Sequence, residues 1–269
     1  MLRGIYTSAS GMMARMTQLN TIANNLANVN TSGYKGDKTI FKSFPEKLIR
    51  RLNDELARSL FRNKIVDPRP KVGILGTGVE VNEIFTDFEM GPIQTTGKNT
   101  DLAIHGRGFF AVQTPYGVRY TRFGAFTIDS EGYLAMPSGH RLLDESGNPI
   151  MVGPYSKFNV NEKGEVYVFA ENSKNPIFAG KIAVYDFENL RGLKKVGSNL
   201  YQETEWSGQA QLVENPRILQ GYLEMSNVNP VVEMVKMIEV QRDFEASQRA
   251  IKGHDETLNQ VINQVARTR

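Results

Sequence analysis

The sequence contains no cysteine. That removes disulfides, thiolate metal sites and cysteine nucleophiles together. Before Asp37 there is no aspartate or glutamate, and from Gly4 to Tyr34 the only charged side chain is Arg15. No apolar run approaches the ~20 residues that a membrane-spanning helix needs. No apolar segment of the signal-peptide kind follows Arg3, so export without a cleaved signal is the expectation if the chain is exported at all. Catalytic patterns are also missing. His105, His140 and His254 are scattered and form no HExxH motif. The glycine-rich run Gly73 to Gly78 has neither GxGxxG spacing nor the Lys-Ser/Thr pair that meets phosphate and magnesium, and reads as a turn entering a strand. There is no GxSxG elbow. Asp54 and Glu55 lie near arginines and read as a solvated face. The expectation is a protein that is not an enzyme and takes no metal or cofactor. A net charge of +3 is too small to argue for nucleic acid.

What is present is enough chain for one or two domains, 269 residues with 40% hydrophobic composition. Leu2, Ile5, Ala9, Met12, Met16, Leu19, Ala23 and Leu26 alternate spacings of three and four, which predicts one helix over 2–27 with a heptad seam. Asn28, Asn30, Thr31, Ser32 and Gly33 stop it. Near the other end, Asn229 is a good N-cap and Pro230 suits the first helical position. Met234, Ile238, Phe244, Ile251, Leu258 and Ile262 then follow near-heptad spacing, and Gly253 suggests a bend or close packing. Between these helices, from Val72 to about Val213, short runs rich in Val, Ile, Phe and Tyr alternate with turn signals, as in an antiparallel β domain. The fold class is therefore α+β, with N- and C-terminal helices pairing as a coiled coil and a central antiparallel all-β domain. The divisions are 1–35 (helix and turn, together with 228–269), 36–71 (a basic linker), 72–227 (β domain) and 228–269 (C-terminal helix).

Phe41, Phe44, Leu48, Leu52, Leu56 and Leu60 suggest a shorter amphipathic helix over 41–61, with Pro45 in its first turn. Lys47, Arg50, Arg51 and Arg58 flank its apolar side. A basic face of this kind suits an anionic membrane surface or an anionic envelope polymer such as peptidoglycan. The plainer reading is a helix packed by its leucines with a solvated basic side.

The first helix carries Thr7, Ser8, Ser10, Thr17, Gln18, Asn20, Thr21, Asn24 and Asn25 where a solvated face normally carries charge. Hydrogen-bonded uncharged groups can be buried, whereas buried charges are far more costly. This favours a helix surrounded by others in a multi-chain assembly. Ile5, Met12, Met16, Leu19, Ala23 and Leu26 are the candidate N-terminal interface. Met234, Ile238, Phe244, Ile251, Leu258 and Ile262 are the C-terminal one. Asn24, Asn25, Asn28, Thr31 and Gly33 are candidates for polar inter-helix contacts and for the turn out of the helix. A different class also fits this layout, a β-domain binding module or adhesin on a coiled-coil stalk.

At this point the motifs resemble a known family. ANNLANVNTSGYKG, Ala23 to Gly36, is similar to the N-terminal signature of bacterial flagellar axial proteins. DLAIHGRGFFAVQT and YTRFGAFTIDSEGYL resemble the central segments of the rod proteins. QGYLEMSNVNPVVEMVKMIEVQRDFEASQRAIKGHDETLNQ resembles their C-terminal signature. The order and length match the FlgF/FlgG-type rod family, and Phe41 to Lys64 resembles the corresponding segment of spirochaete-type proximal-rod proteins. The resemblance implies terminal helices forming an inner coiled coil around a channel, with the β domain projecting outward. It implies partners among itself and other rod and hook axial proteins, and export by the flagellar type III apparatus. It places the chain in the basal-body rod within the periplasm, as a helical drive shaft between motor and hook.

Overall fold

The alternating spacing of three and four becomes a single helix, α1, Leu2–Ala27, in a computed structural model that describes residues 2–50, 71–153, 157–169 and 176–265. The first turn of α1 has no acid and its last turn no base. Its hydroxyls are instead satisfied locally. Thr7, Thr17 and Thr21 donate to the carbonyls of Arg3, Met13 and Thr17, and Ser10 donates to Thr7. These bonds let uncharged groups lie against neighbours without an unsatisfied donor. The second helix, α2, is Pro230–Gln260. The Asn229 side chain accepts from the Val231 N–H at 3.0 Å, satisfying one of the orphan donors of the first turn. The helix runs unbroken through Gly253, where an added Cβ would meet open space; a wider turn, Val261–Val265, follows.

The chain divides into two compact units. The first contains Met1–Ala23, Lys38–Phe85 and Val232–Arg269. Within it α1 and α2 touch. Arg15 bridges to Asp243 at 2.9 Å, and Cβ atoms built on Gly11 and Gly4 would meet Ser247 and His254. As one index falls the other rises by the same amount, so the helices run antiparallel. The half-buried and buried positions of α2 keep heptad spacing through Glu233, Met237, Val240, Phe244, Ser247, Ile251, His254 and Leu258. The facing stripe of α1 is built from small and polar residues, among them Gly4, Ser8, Gly11 and Gln18.

Strands complete this unit. Asp37–Ser43 pairs with Val79–Thr86, and Lys47–Arg50 pairs antiparallel with Lys71–Leu75. The helix expected over 41–61 is therefore corrected: residues 41–43 and 47–50 are strands. Two partner strands were available to satisfy the backbone. Pro45, which has no N–H to donate, sits between them at the bend. Residues 51–61, with Arg51 and Arg58, lie outside the described residues.

The second unit contains Asn24–Asp37 and Thr86–Val231. Its main sheet runs Lys194–Lys195, Leu200–Gln202, Gly117–Thr121, Phe109–Thr114, Arg141–Leu142, Leu134–Ala135 and Thr127–Ile128, with Val184–Asp186 and Gln211–Leu212 joined at Phe109–Phe110. The registered pairs are antiparallel. Strand alternation sends Phe110 and Val112 to one core, with Phe126, Leu134, Leu142 and Val184. It sends Phe109 and Ala111 to the other, with Tyr120, Phe187 and Tyr201. Asp129, Asp144 and Asn161 each form a turn by accepting backbone N–H bonds two and four residues on.

Candidate functional site

The run that follows α1 is charge-free until Lys35. Lys35 is fully buried in the second unit and belongs to a charge cluster centred on Glu224. Its Nζ donates to Glu224 Oε1 at 2.6 Å and to the Glu89 carbonyl at 2.7 Å. The other carboxylate oxygen of Glu224 lies 3.2 Å from the Arg122 guanidinium, and the Gly91 N–H donates to Oε1 at 3.0 Å. Arg122 also donates to the carbonyls of Ile104 and Gly106 and lies over the Phe109 ring. The side chains of Lys35, Glu224 and Arg122 are 0%, 1% and 5% exposed. Burial pulls the pKa values of both cations down, and the Glu224 carboxylate opposes that pull. Two cations and one carboxylate out of water are tolerable only with this set of hydrogen bonds.

The turn is held as tightly as the cluster. Asn25 is buried, and its amide exchanges two bonds with the backbone of Asp37, at 2.8 and 2.9 Å. Tyr34 donates its hydroxyl to Asn24 and Asn25. Asn28 donates to the Asn24 carbonyl and accepts from Thr31. Gly33 has φ +65° and donates to the Glu224 carbonyl at 2.7 Å. A Cβ there would collide with the Arg122 backbone. Gly36 donates to Asn227, which in turn donates to the carbonyl of Asp87. Lys195 donates to the Lys35 carbonyl and to both oxygens of Asp37. The segments that enter and leave this unit, 24–37 and 224–229, are thus held side by side.

Sequence reasoning named the asparagines, Thr31 and Gly33, and the structure gathers them in this turn. It passed over Lys35, Arg122 and Glu224. A signal was available: Glu224 is the only charge between Arg217 and Glu233, an isolated acid inside an apolar motif.

The candidate interface residues divide by face. On α1, Ile5, Met12, Leu19 and Leu26 are half-buried, while Met16 and Ala23 are exposed beside Tyr6 and Met13. On α2, Phe244, Ile251 and Leu258 lie on the half-buried stripe. Met234, Ile238 and Ile262 are exposed, together with Val232 and Val235. Lys47 and Arg50 are exposed on their strand. The described residues contain no group of three or more His, Asp or Glu side chains placed to hold a metal, and no described helix is long and apolar enough to cross a membrane.

Three family models match this chain. The flagella basal body rod protein model covers residues 5–35, the flagellar hook protein FlgE/F/G D1 domain 103–168, and the flagellar basal body rod FlgEFG C-terminal model 219–265. The flagellar basal-body rod protein FlgG of Borreliella burgdorferi is 37% identical, with 98% of each chain covered. FlgG of Bacillus subtilis is 34% identical, over 98% of this chain and 99% of the relative. The rod protein FlgF of Caulobacter vibrioides is 33% identical over 98% of each. The first and last family matches contain the entry turn and Glu224.

Proposed function

The chain belongs to the flagellar basal-body rod protein family, FlgF/FlgG type, and is a structural subunit of the rod; from that premise we propose how its residues build a shaft. Near-full-length similarity to rod proteins carries this reading. The antiparallel contacts of α1 with α2 support a coiled-coil pair within each subunit. Their exposed apolar faces, with Met13, Met16 and Ala23 on α1 and Met234, Ile238 and Ile262 on α2, then pack against neighbouring subunits around a channel. Subunits repeat by a rotation that does not close, which makes a helical filament. The partners are other copies and other rod and hook proteins.

The Lys35–Glu224–Arg122 cluster, inside the β unit, holds the two segments by which the chain enters and leaves that unit. Close-packed, hydrogen-bonded groups resist deformation, as a torque-bearing part requires. Export is through the flagellar type III apparatus without a cleaved signal, and the rod lies in the periplasm. Full-length matches bear both the FlgG and FlgF names, and labelling this subunit in averaged images of basal bodies assigns it to the proximal or distal rod. Deleting the gene should abolish rods beyond the subunit's position and motility with them. Intact rods and normal swimming in the deletion strain would refute the structural role.

A further inference from the structure

The sequence has a single tryptophan, Trp206, and its side chain is exposed, at 82%. It stands between the exposed Glu205 and the buried Ser207, with Glu203 exposed nearby. The turn that carries it is braced. Ser207 Oγ donates to the Thr204 carbonyl and accepts from the Thr204 N–H, while Thr204 Oγ1 donates to the Gly192 carbonyl at 2.6 Å. Asn189 donates to the Trp206 carbonyl at 3.0 Å. Gly192 packs so closely on this turn that a Cβ would strike the Ser207 backbone. An exposed indole on a fixed turn loses little entropy on docking, and tryptophan is enriched among interface anchors.

The first unit carries a groove of complementary character, about 840 Å³ in volume. Leu48, Ile49 and Leu75 contribute apolar walls, and Arg3, Lys47 and Arg50 contribute cations. Among the described residues, no carboxylate side chain lines it. We propose that the Glu203–Trp206 turn of one subunit docks in this groove of a second copy, with the indole against the leucine and isoleucine walls and the two glutamates facing the three cations. Knob and groove are different surfaces, so the contact is head-to-tail and propagates as an open filament instead of closing a dimer. The charges steer and orient the encounter. The inference rests on the rod-subunit reading and adds a contact between the β unit of one copy and the first unit of the next.

The cysteine-free chain permits a direct test in cells. Full-length Trp206→Cys and Leu48→Cys chains are co-expressed as the only source of the subunit, and isolated rods are oxidised. A covalent dimer of the two variants is expected, absent from a pairing of Leu48→Cys with Tyr116→Cys. In the uncross-linked rod, the thiol introduced at position 206 should react with maleimide about tenfold more slowly than in the free subunit, because the centre of an interface excludes solvent. Trp206→Ala should weaken subunit association about thirtyfold, the effect of losing an interface anchor. Glu203→Lys with Glu205→Lys should impair assembly, and Lys47→Glu with Arg50→Glu should restore it. Normal rods in which the thiol of the Trp206→Cys chain remains fully reactive overturn the contact and leave the rod-subunit reading intact. A cross-link from that thiol to a protein of another mass overturns the second copy as occupant.

Discussion

Lys35 is shut away from solvent, and its ammonium is held by one carboxylate and one carbonyl. Removing Glu224 would leave two buried cations facing each other. Glu224→Ala should therefore destabilise the chain by about 3–5 kcal/mol, the usual effect of breaking a buried ion pair. Lys35→Met should be milder, because Arg122 still pairs with the carboxylate. Urea denaturation of the three proteins gives the comparison, and a larger loss for Lys35→Met would contradict the assignment of Glu224 as the hub. Gly33→Ala should lose more than about 1 kcal/mol from its φ alone, with the Arg122 backbone collision added. A second residue-scale effect is alkaline. Burial pushes the Tyr120 phenol up to about 12. The folded state keeps a proton that the unfolded chain releases near pH 10, so this stability is complete below pH 10 and is lost as pH rises from 10 through 12. Tyr201 acts in the same direction. Lys35 works in the opposite sense, since its lowered pKa makes stability rise as pH approaches 10.5 from below. Urea midpoints measured from pH 7 to 12 should fall steeply above 10, and Tyr120→Phe should fall less steeply than the parent.

The two helices each use separate faces, and substitutions on those faces should behave differently. The inner stripe of α1 contains glycines against which α2 packs. Gly4→Leu, whose Cβ would meet the His254 ring, should disturb the isolated subunit itself, lowering helicity by circular dichroism. Met16 is 57% exposed, so Met16→Asp should leave the subunit's melting temperature within about 2 °C, as surface changes usually do. The same substitution should stop incorporation into rods, because it places a charge in a packed interface. Motile cells carrying Met16→Asp would remove this face from the assembly. Arg15 belongs to the inner stripe, where it meets Asp243, Gln18 and the Phe41 ring. It is the one charge in a long neutral stretch, and its position suits a register pin between antiparallel helices.

At the scale of the molecule, the division into units decides where the chain can be cut. Residues 24–37 belong to the β unit. A chain lacking residues 1–23 and 232–269 keeps Asn25, Tyr34, Lys35 and Glu224 together, and should remain soluble, unfold cooperatively and fail to polymerise. Extending the N-terminal deletion through residue 36 removes Lys35 and exposes the cluster's hydrogen bonds. Its melting temperature should drop by several degrees for each 1 kcal/mol lost. Calorimetry on the two truncations distinguishes the cases, and equal melting temperatures would show that the turn contributes nothing to the unit.

The two long helices, their ends and the β texture between them were legible in the sequence. Periodicity, caps and turn residues are local, and each follows from the chemistry of a few neighbours. The strands at 41–43 and 47–50 were not legible, because their apolar spacing also fits a helix and only the partners at 79–86 and 71–75 decide between the two. Nor could periodicity tell which face of α1 meets α2, since the stripe of Gly4, Ser8 and Gly11 is less apolar than the one it leaves exposed. Lys35, Arg122 and Glu224 are 87 and 102 positions apart along the chain. Their meeting depends on three segments folding to one point, and a pairing across that distance is fixed only by tertiary structure.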